Sequence, residues 1–375
     1  TIPQYLTNRF LSKNKSLQIL SAVIFLVAYT IYAASSIKAC GTLFHTVMDV
    51  NPTVAMYIAA FIIVAYTFLG GFSAVCWTDF FQGMIMLAAL LVAPLFALAL
   101  AKAGDGAVAG ATLPEGFFNF FTTPQDIISG LGWGLGYFGM PHIIIRFMSL
   151  KSEKELRKSS VIGISWTTII LIMSALTAVA GRLYLGEIDD PSTVFITMVR
   201  RIFPALVSGL LLSAILSAAM STADSQLLAA SSAFASDVYK PVIRKKASDS
   251  EMLWAGRIVV IVIAVVALMI ASDPNSGSIM GLVENAWGVF GAAFGPVILL
   301  SLFWKRLTFG GTVAGIAAGA AVDILWLVFL SSTDIYEIVP GFAAGLLAAV
   351  VVSLLSKGPG KDVEDLFDRA VDLKS

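Results

Sequence analysis

The residues able to do chemistry in this chain are few, and they lie in apolar surroundings. Ser221, Thr222, Asp224 and Ser225 follow the small-residue run Ser217-Ala218-Ala219. At helical spacing Ser221, Asp224 and Ser225 share one face. Hydroxyls with a carboxylate are hard oxygen donors, suited to a small hard cation. Polar side chains in an apolar span are costly and default to a functional reading. The same hydroxyls also glue helices together, and for Ser221 and Thr222 alone both readings stand. Asp224 favours the ion. Asp79 follows Gly70-Gly71 and the run to Thr78. It reads as an ion ligand or, with Thr78, as the cap of a helix that starts there.

A second segment is built differently. Gly132-Trp133-Gly134-Leu135-Gly136-Tyr137-Phe138-Gly139-Met140-Pro141 packs four glycines and a proline into an otherwise apolar span. Pro141 cannot donate to the Tyr137 carbonyl, and its ring clashes there. Glycine lowers the cost of unwinding. Irregular backbone at membrane depth is tolerated only where it is buried in protein or lines a wet cavity. The spacing therefore predicts an interrupted helix, the usual mark of a transporter binding site. The competing reading is a proline kink with glycines for close packing. Trp133 and Tyr137 are four apart and would share a face. Tyr32, Glu284, Asn285, Trp287 and Asp323 are weaker candidates. Glu284, Asn285 and Trp287 read as a gate or a mere helix start, and Asp323 as facing a packing partner. His142 reads as a hydrogen-bonded structural residue.

The elements that must hold these residues follow from composition. Of 375 residues 58% are hydrophobic and only 13% are charged, with Lys+Arg and Asp+Glu balanced at 24 each and a mean hydropathy of +0.88. That excludes a soluble enzyme, a basic nucleic-acid binder and a disordered chain. Two cysteines and two histidines leave neither a disulfide scaffold nor a His/Cys metal cluster. No constellation for covalent catalysis is present, so the chain is read as a non-enzyme. Ten stretches are long and apolar enough to cross a bilayer as helices: 17–44, 53–74, 79–102, 125–148, 159–184, 204–238, 252–271, 278–304, 309–330 and 338–356. With both ends inside, Lys and Arg fall 19 on the inner side and four on the outer, with Lys38 inside a helix near its outer end, as positive-inside requires. A short helix is expected around Thr193–Phe203, and a surface helix in the 357–375 tail. The chain starts at Thr1 without a signal peptide, and it is expected to be a fragment of a longer protein.

Whole blocks of the sequence resemble the sodium/solute symporter family. The resemblance covers essentially all 375 residues. It is carried by TIPQYLTNRF at the start, TFLGGFSAVCWTDFFQ at 67–82, GWGLGYFGMPHIIIRFM at 132–148 and LLSAILSAAMSTADSQLL at 211–228. GLVENAWGVFGAAFGPV at 281–297 and IYEIVPGF at 335–342 extend it. GWGLGYFG and LSAI-x-SA-x-MST mark the proline-type branch.

The resemblance implies an all-α polytopic membrane protein of the LeuT type, with two inverted five-helix repeats. Family members have thirteen helices, so about three are expected upstream, including a broken helix that completes the central site. It implies that Tyr32, Trp133, Tyr137 and Pro141 bind substrate. It also implies that the Ala218 carbonyl and the Ser221 and Thr222 hydroxyls form half of a sodium site. Asp79 matches a carboxylate linked to sodium use, and in some members it joins serines at positions like Ser221 and Ser225 in a second sodium site, which leaves one ion or two open. The implied activity is sodium-coupled import of L-proline by alternating access, with sodium as coupling ion, in the bacterial inner (plasma) membrane. The transport unit would be a monomer, multi-pass, with a cytoplasmic C-terminus and no nucleic-acid partner. Another small solute (pantothenate or a sugar acid) or a transporter-like membrane sensor are the alternatives.

Overall fold

The computed structural model describes residues 1–108, 110–119 and 122–372. Its helices are α1 Ile2–Arg9, α2 Ser16–Met48, α3 Pro52–Ala103, α4 Pro124–Gly136, α5 Pro141–Met148, α6 Glu153–Leu185, α7 Val194–Ile202 and α8 Ala205–Ala233. They continue with α9 Asp249–Ser272, α10 Ile279–Phe303, α11 Phe309–Phe329, α12 Ile338–Leu355 and α13 Lys361–Asp372. Among the described residues nine helical segments are long and apolar enough to cross a membrane. Two of them are halves of α3, Pro52–Gly71 and Ser73–Ala103, and another joins α8 to the wider helical turn Phe234–Ile243. The stretch 125–148 instead forms the two short helices α4 and α5.

Local signals set the boundaries. Asn51 caps α3, its side chain accepting from the backbone N–H of Thr53 and Val54, with Pro52 at the first helical position. Thr123 and Asp126 make a reciprocal capping box at α4. Ser248, Ser278 and Thr308 cap α9, α10 and α11. Gly71 has φ +63, which an L side chain adopts only with strain, and there α3 breaks. The helix resumes at Ser73, so Asp79 lies in its second turn. That corrects the capping alternative for Thr78 and Asp79. The Thr78 hydroxyl donates back to the Val75 carbonyl at 2.9 Å, inside the helix.

The chain divides into two compact units. One comprises Ser36–Phe120 and Leu150–Asp224. Its core is small and aliphatic: Ala89, Ala93 and Ala97 of α3 meet Ala180 and Tyr184 of α6, Ile196 and Val199 of α7, and Leu211. The other comprises Thr1–Ser35, Phe121–Ser149 and Ser225–Ser375. Its centre is α10, whose apolar window is 78% buried, against 11% for α6. So α10 is a core helix, while most of the surface of α6 is left uncovered by the rest of its unit. Phe25 and Tyr29 of α2 pack on Phe290 and Phe294 of α10. In the same unit the tail helix α13 folds back on α1. Buried Arg9 donates to the carbonyls of Ser301 and Val363 and lies 4.9 Å from the centre of the Phe367 ring. Lys305 pairs with Asp368 at 2.6 Å.

Candidate functional site

In the second unit named above, the break between α4 and α5 occupies residues 137–140. It is a tight turn: the N–H of Phe138 bonds to the Leu135 carbonyl, and that of Gly139 to the Gly136 carbonyl. Pro141 is the first residue of α5, where its missing N–H would have no helical partner anyway. Unwinding turns the Tyr137 N–H toward Leu135. The Trp133 carbonyl accepts instead from Trp287 Nε1 at 3.1 Å. The carbonyl freed by unwinding is therefore satisfied by a side chain of α10.

The two readings of the glycines both hold here, at different residues. A Cβ on Gly139 would lie 2.8 Å from the Gly295 nitrogen and 2.9 Å from the Gly291 Cα. A Cβ on Gly136 would run into the Trp287 indole, and one on Gly132 would lie 2.6 Å from Val339. These glycines let the broken helix lie against α10 and α12, while the break itself runs from Tyr137 to Met140.

Aromatic rings gather along this contact. Trp133 lies 5.7 Å from Trp287 and 5.5 Å from Tyr336 between ring centres. Tyr137 meets Trp287 edge-on at 4.9 Å. Trp133 and Tyr137 thus face one indole, as their spacing predicts. The Tyr336 hydroxyl donates to the Glu284 carbonyl at 2.8 Å, and its N–H bonds to the Ser129 hydroxyl. Tyr32 meets the ring of His142, the residue after Pro141, at 6.3 Å. His142 sits between Tyr29 and Tyr32, and its Nδ1 has no hydrogen-bond partner. Ring contacts flank it, and its backbone hydrogen-bonds with Tyr29. All four residues expected to bind substrate therefore lie in one unit, around the break. Tyr336 went unassigned in the sequence, and the indole of Trp287 gained its role only from its contacts. Sequence offers no local signal for contacts across 154 or 203 positions.

The oxygen donors fall mainly in the other unit. The Ser221 hydroxyl lies 3.2 Å from the Ala218 carbonyl one turn back, so two of the expected ligand oxygens are adjacent on α8. Thr222 is half-buried beside them. Asp224 is fully buried, and its Oδ2 accepts from the Tyr66 hydroxyl of α3 at 2.7 Å. The same hydroxyl lies 3.2 Å from the Met220 carbonyl. Asp79 is close enough to act electrostatically on that phenol. Tyr66 was not singled out in the sequence. Ser225 belongs to the unit of the broken helix, where its hydroxyl accepts from Arg146 of α5 at 3.0 Å. A guanidinium, not a free ligand position, faces that oxygen. No group of three or more His, Cys, Asp or Glu able to hold a metal occurs among the described residues. Any cation here would be held by hydroxyl, carbonyl and one or two carboxylate oxygens, a set suited to sodium.

A bundle of apolar helices with one span broken and lined by aromatics defines a polytopic membrane carrier. The chain belongs to the sodium:solute symporter family, whose model matches residues 1–319. It is 42% identical to the high-affinity proline transporter PutP of Bacillus subtilis (strain 168), over 100% of this chain and 80% of that one. It is 44% identical to the sodium/proline symporter of Haemophilus influenzae (strain ATCC 51907 / DSM 11121 / KW20 / Rd), over 99% of this chain and 77% of the relative. Among solved structures, the substrate-bound outward-open state of a Na+-coupled sialic acid symporter superposes with a TM-score of 0.75. That match covers 95% of this chain and 77% of the other at 19% identity, a likeness of fold.

Proposed function

We propose that this protein imports L-proline coupled to sodium by alternating access. The observation that carries the reading is the turn at 137–140, with Trp133, Tyr137 and Tyr32 around it. Relatives above 40% identity named as proline transporters support the substrate. The pyrrolidine ring would lie among Trp133, Tyr137 and Tyr32, with Pro141 fixing the backbone beside them. Its ammonium suits aromatic faces.

Sodium would be held by the Ala218 carbonyl and the Ser221 and Thr222 hydroxyls, with Asp79 the candidate ligand of a further ion. The bond from Ser221 to the Ala218 carbonyl supports the first set, since it keeps both oxygens together. Ion binding shifts the carrier only by its differential affinity for two states. The inward gradient and the membrane potential, about 2.3 kcal/mol per charge per 100 mV, drive the cycle. The reading places the protein in the plasma membrane with a cytoplasmic C-terminus, each monomer acting as a transport unit. No chemical step is assigned to it.

The test is uptake of radiolabelled L-proline into proteoliposomes holding the full-length protein, with and without an inward sodium gradient. Uptake should require sodium and disappear in the double variant Ser221→Ala/Thr222→Ala. Sodium-driven uptake of a different solute, with none of proline, would overturn the pocket assignment and keep the ion site.

A further inference from the structure

Two carboxylates outside the transport residues are buried together. Asp323 of α11 is 0% exposed, and Glu337, which leads into α12, is 8% exposed. Neither oxygen of Asp323 has a hydrogen-bond partner, nor does Oε1 of Glu337. They meet over Gly288 of α10. A Cβ at Gly288 would lie 2.9 Å from Asp323 Oδ1 and 3.4 Å from Glu337 Oε1, so both oxygens border one small space. On the α12 side, a Cβ at Gly341 would lie 2.9 Å from the Asp323 Cβ. Glycines on two helices thus make room for these side chains.

Among the described residues the surrounding groups supply no positive charge. From α10 the titratable neighbour is Glu284, whose charge acts on Glu337. From the segment before α12 it is Tyr336, whose hydroxyl is engaged by the Glu284 carbonyl. From α11 it is Asp323 itself. Among the described residues no ion pair reaches either carboxylate. Two anions so placed repel in a low dielectric, and each is costly to desolvate alone. A carboxyl pair in this situation does not ionise twice. One proton removes a charge and turns one partner into a donor for the other, satisfying oxygens that otherwise have nothing to bond.

We propose that Asp323 and Glu337 form a proton-binding site that holds a single proton between them at neutral pH. The site has a mechanical link to the aromatic cluster. Gly288 follows Trp287, whose ring meets Trp133 and Tyr137 and whose N–H holds the Trp133 carbonyl. Loss of the proton sets two negative charges against the α10 backbone one residue away. Proton occupancy does not depend on which solute is carried, so it is tested without substrate.

The measurement is infrared difference spectroscopy of the purified full-length protein across a pH titration. The expected result is a protonated-carboxyl band that persists at neutral pH and disappears on alkalinisation. It should shift in frequency in Asp323→Asn and in Glu337→Gln, because the hydrogen-bond acceptor changes from carboxylate to amide. It should be absent from the double variant. A wild-type protein with no such band at neutral pH overturns the proposal, as does a band unchanged in the double variant. Loss of the band on adding sodium at constant pH overturns it in favour of a metal cation. The wild-type titration decides even if a variant fails to fold.

Discussion

Asp224 and Asp323 are both fully buried aspartates inside apolar helices, one in each compact unit, and their surroundings differ. Asp224 receives the Tyr66 hydroxyl at 2.7 Å, on the helix that carries Ser221 and Thr222. Asp323 receives no hydrogen bond and faces a second carboxylate. A buried carboxyl with a fixed donor is held at one place as an acceptor. A buried acid with only another acid beside it is a place for a proton. Residue type and burial are the same, and the neighbour decides the chemistry.

The largest effect on this contrast is expected from Tyr66→Phe. Removing the donor from a buried carboxylate should cost about 1–3 kcal/mol. It reads as a lower melting temperature of the full-length protein in detergent. Combining it with Asp224→Asn should show coupling of about 0.5–3 kcal/mol in a double-mutant cycle. Strict additivity would mean that Tyr66 is not what holds Asp224. Next is Gly288→Ala, which presses a methyl group on both Asp323 and Glu337. Overpacking of about 1–3 kcal/mol is offset by about 1 kcal/mol of helix propensity, for a small net loss. A gain in stability would show that the carboxylates move aside freely.

The smallest effect is the pH slope from Glu337. Burial holds its carboxyl above the ordinary glutamate value, and Glu284 adds in the same direction. A folded value that is raised gives a contribution fully present below the unfolded value of about 4.3 and lost as pH rises through the folded one. The wild-type melting temperature should therefore decline across that interval, and Glu337→Gln should flatten the decline. An identical slope in both would remove Glu337 from the account.

Much of this architecture was legible in the sequence, because length, hydropathy and turn residues are local signals. The interruption before Pro141, the short helix α7 and the helical tail follow from glycine, proline and periodicity alone. The start of the second half of α3 did not. Gly71, not Thr78 or Asp79, ends the preceding helix, since only a glycine tolerates the positive φ found there. The partners of the candidate residues were illegible for another reason. Tyr66 and Asp224 are 158 positions apart, Trp133 and Trp287 are 154 apart, and Asp323 looked isolated until Glu337 and Gly288 closed around it. Spacing shows which face a side chain shares, but not which helix lies opposite it.

The bond from the Trp287 indole to the Trp133 carbonyl also makes the molecule its own optical probe. An indole N–H tied to a peptide dipole emits at a colour set by that dipole and by the water around it. With the other five of the seven tryptophans changed to phenylalanine, the remaining pair would report movement of the turn as a spectral shift. No dye would need to be attached near the turn.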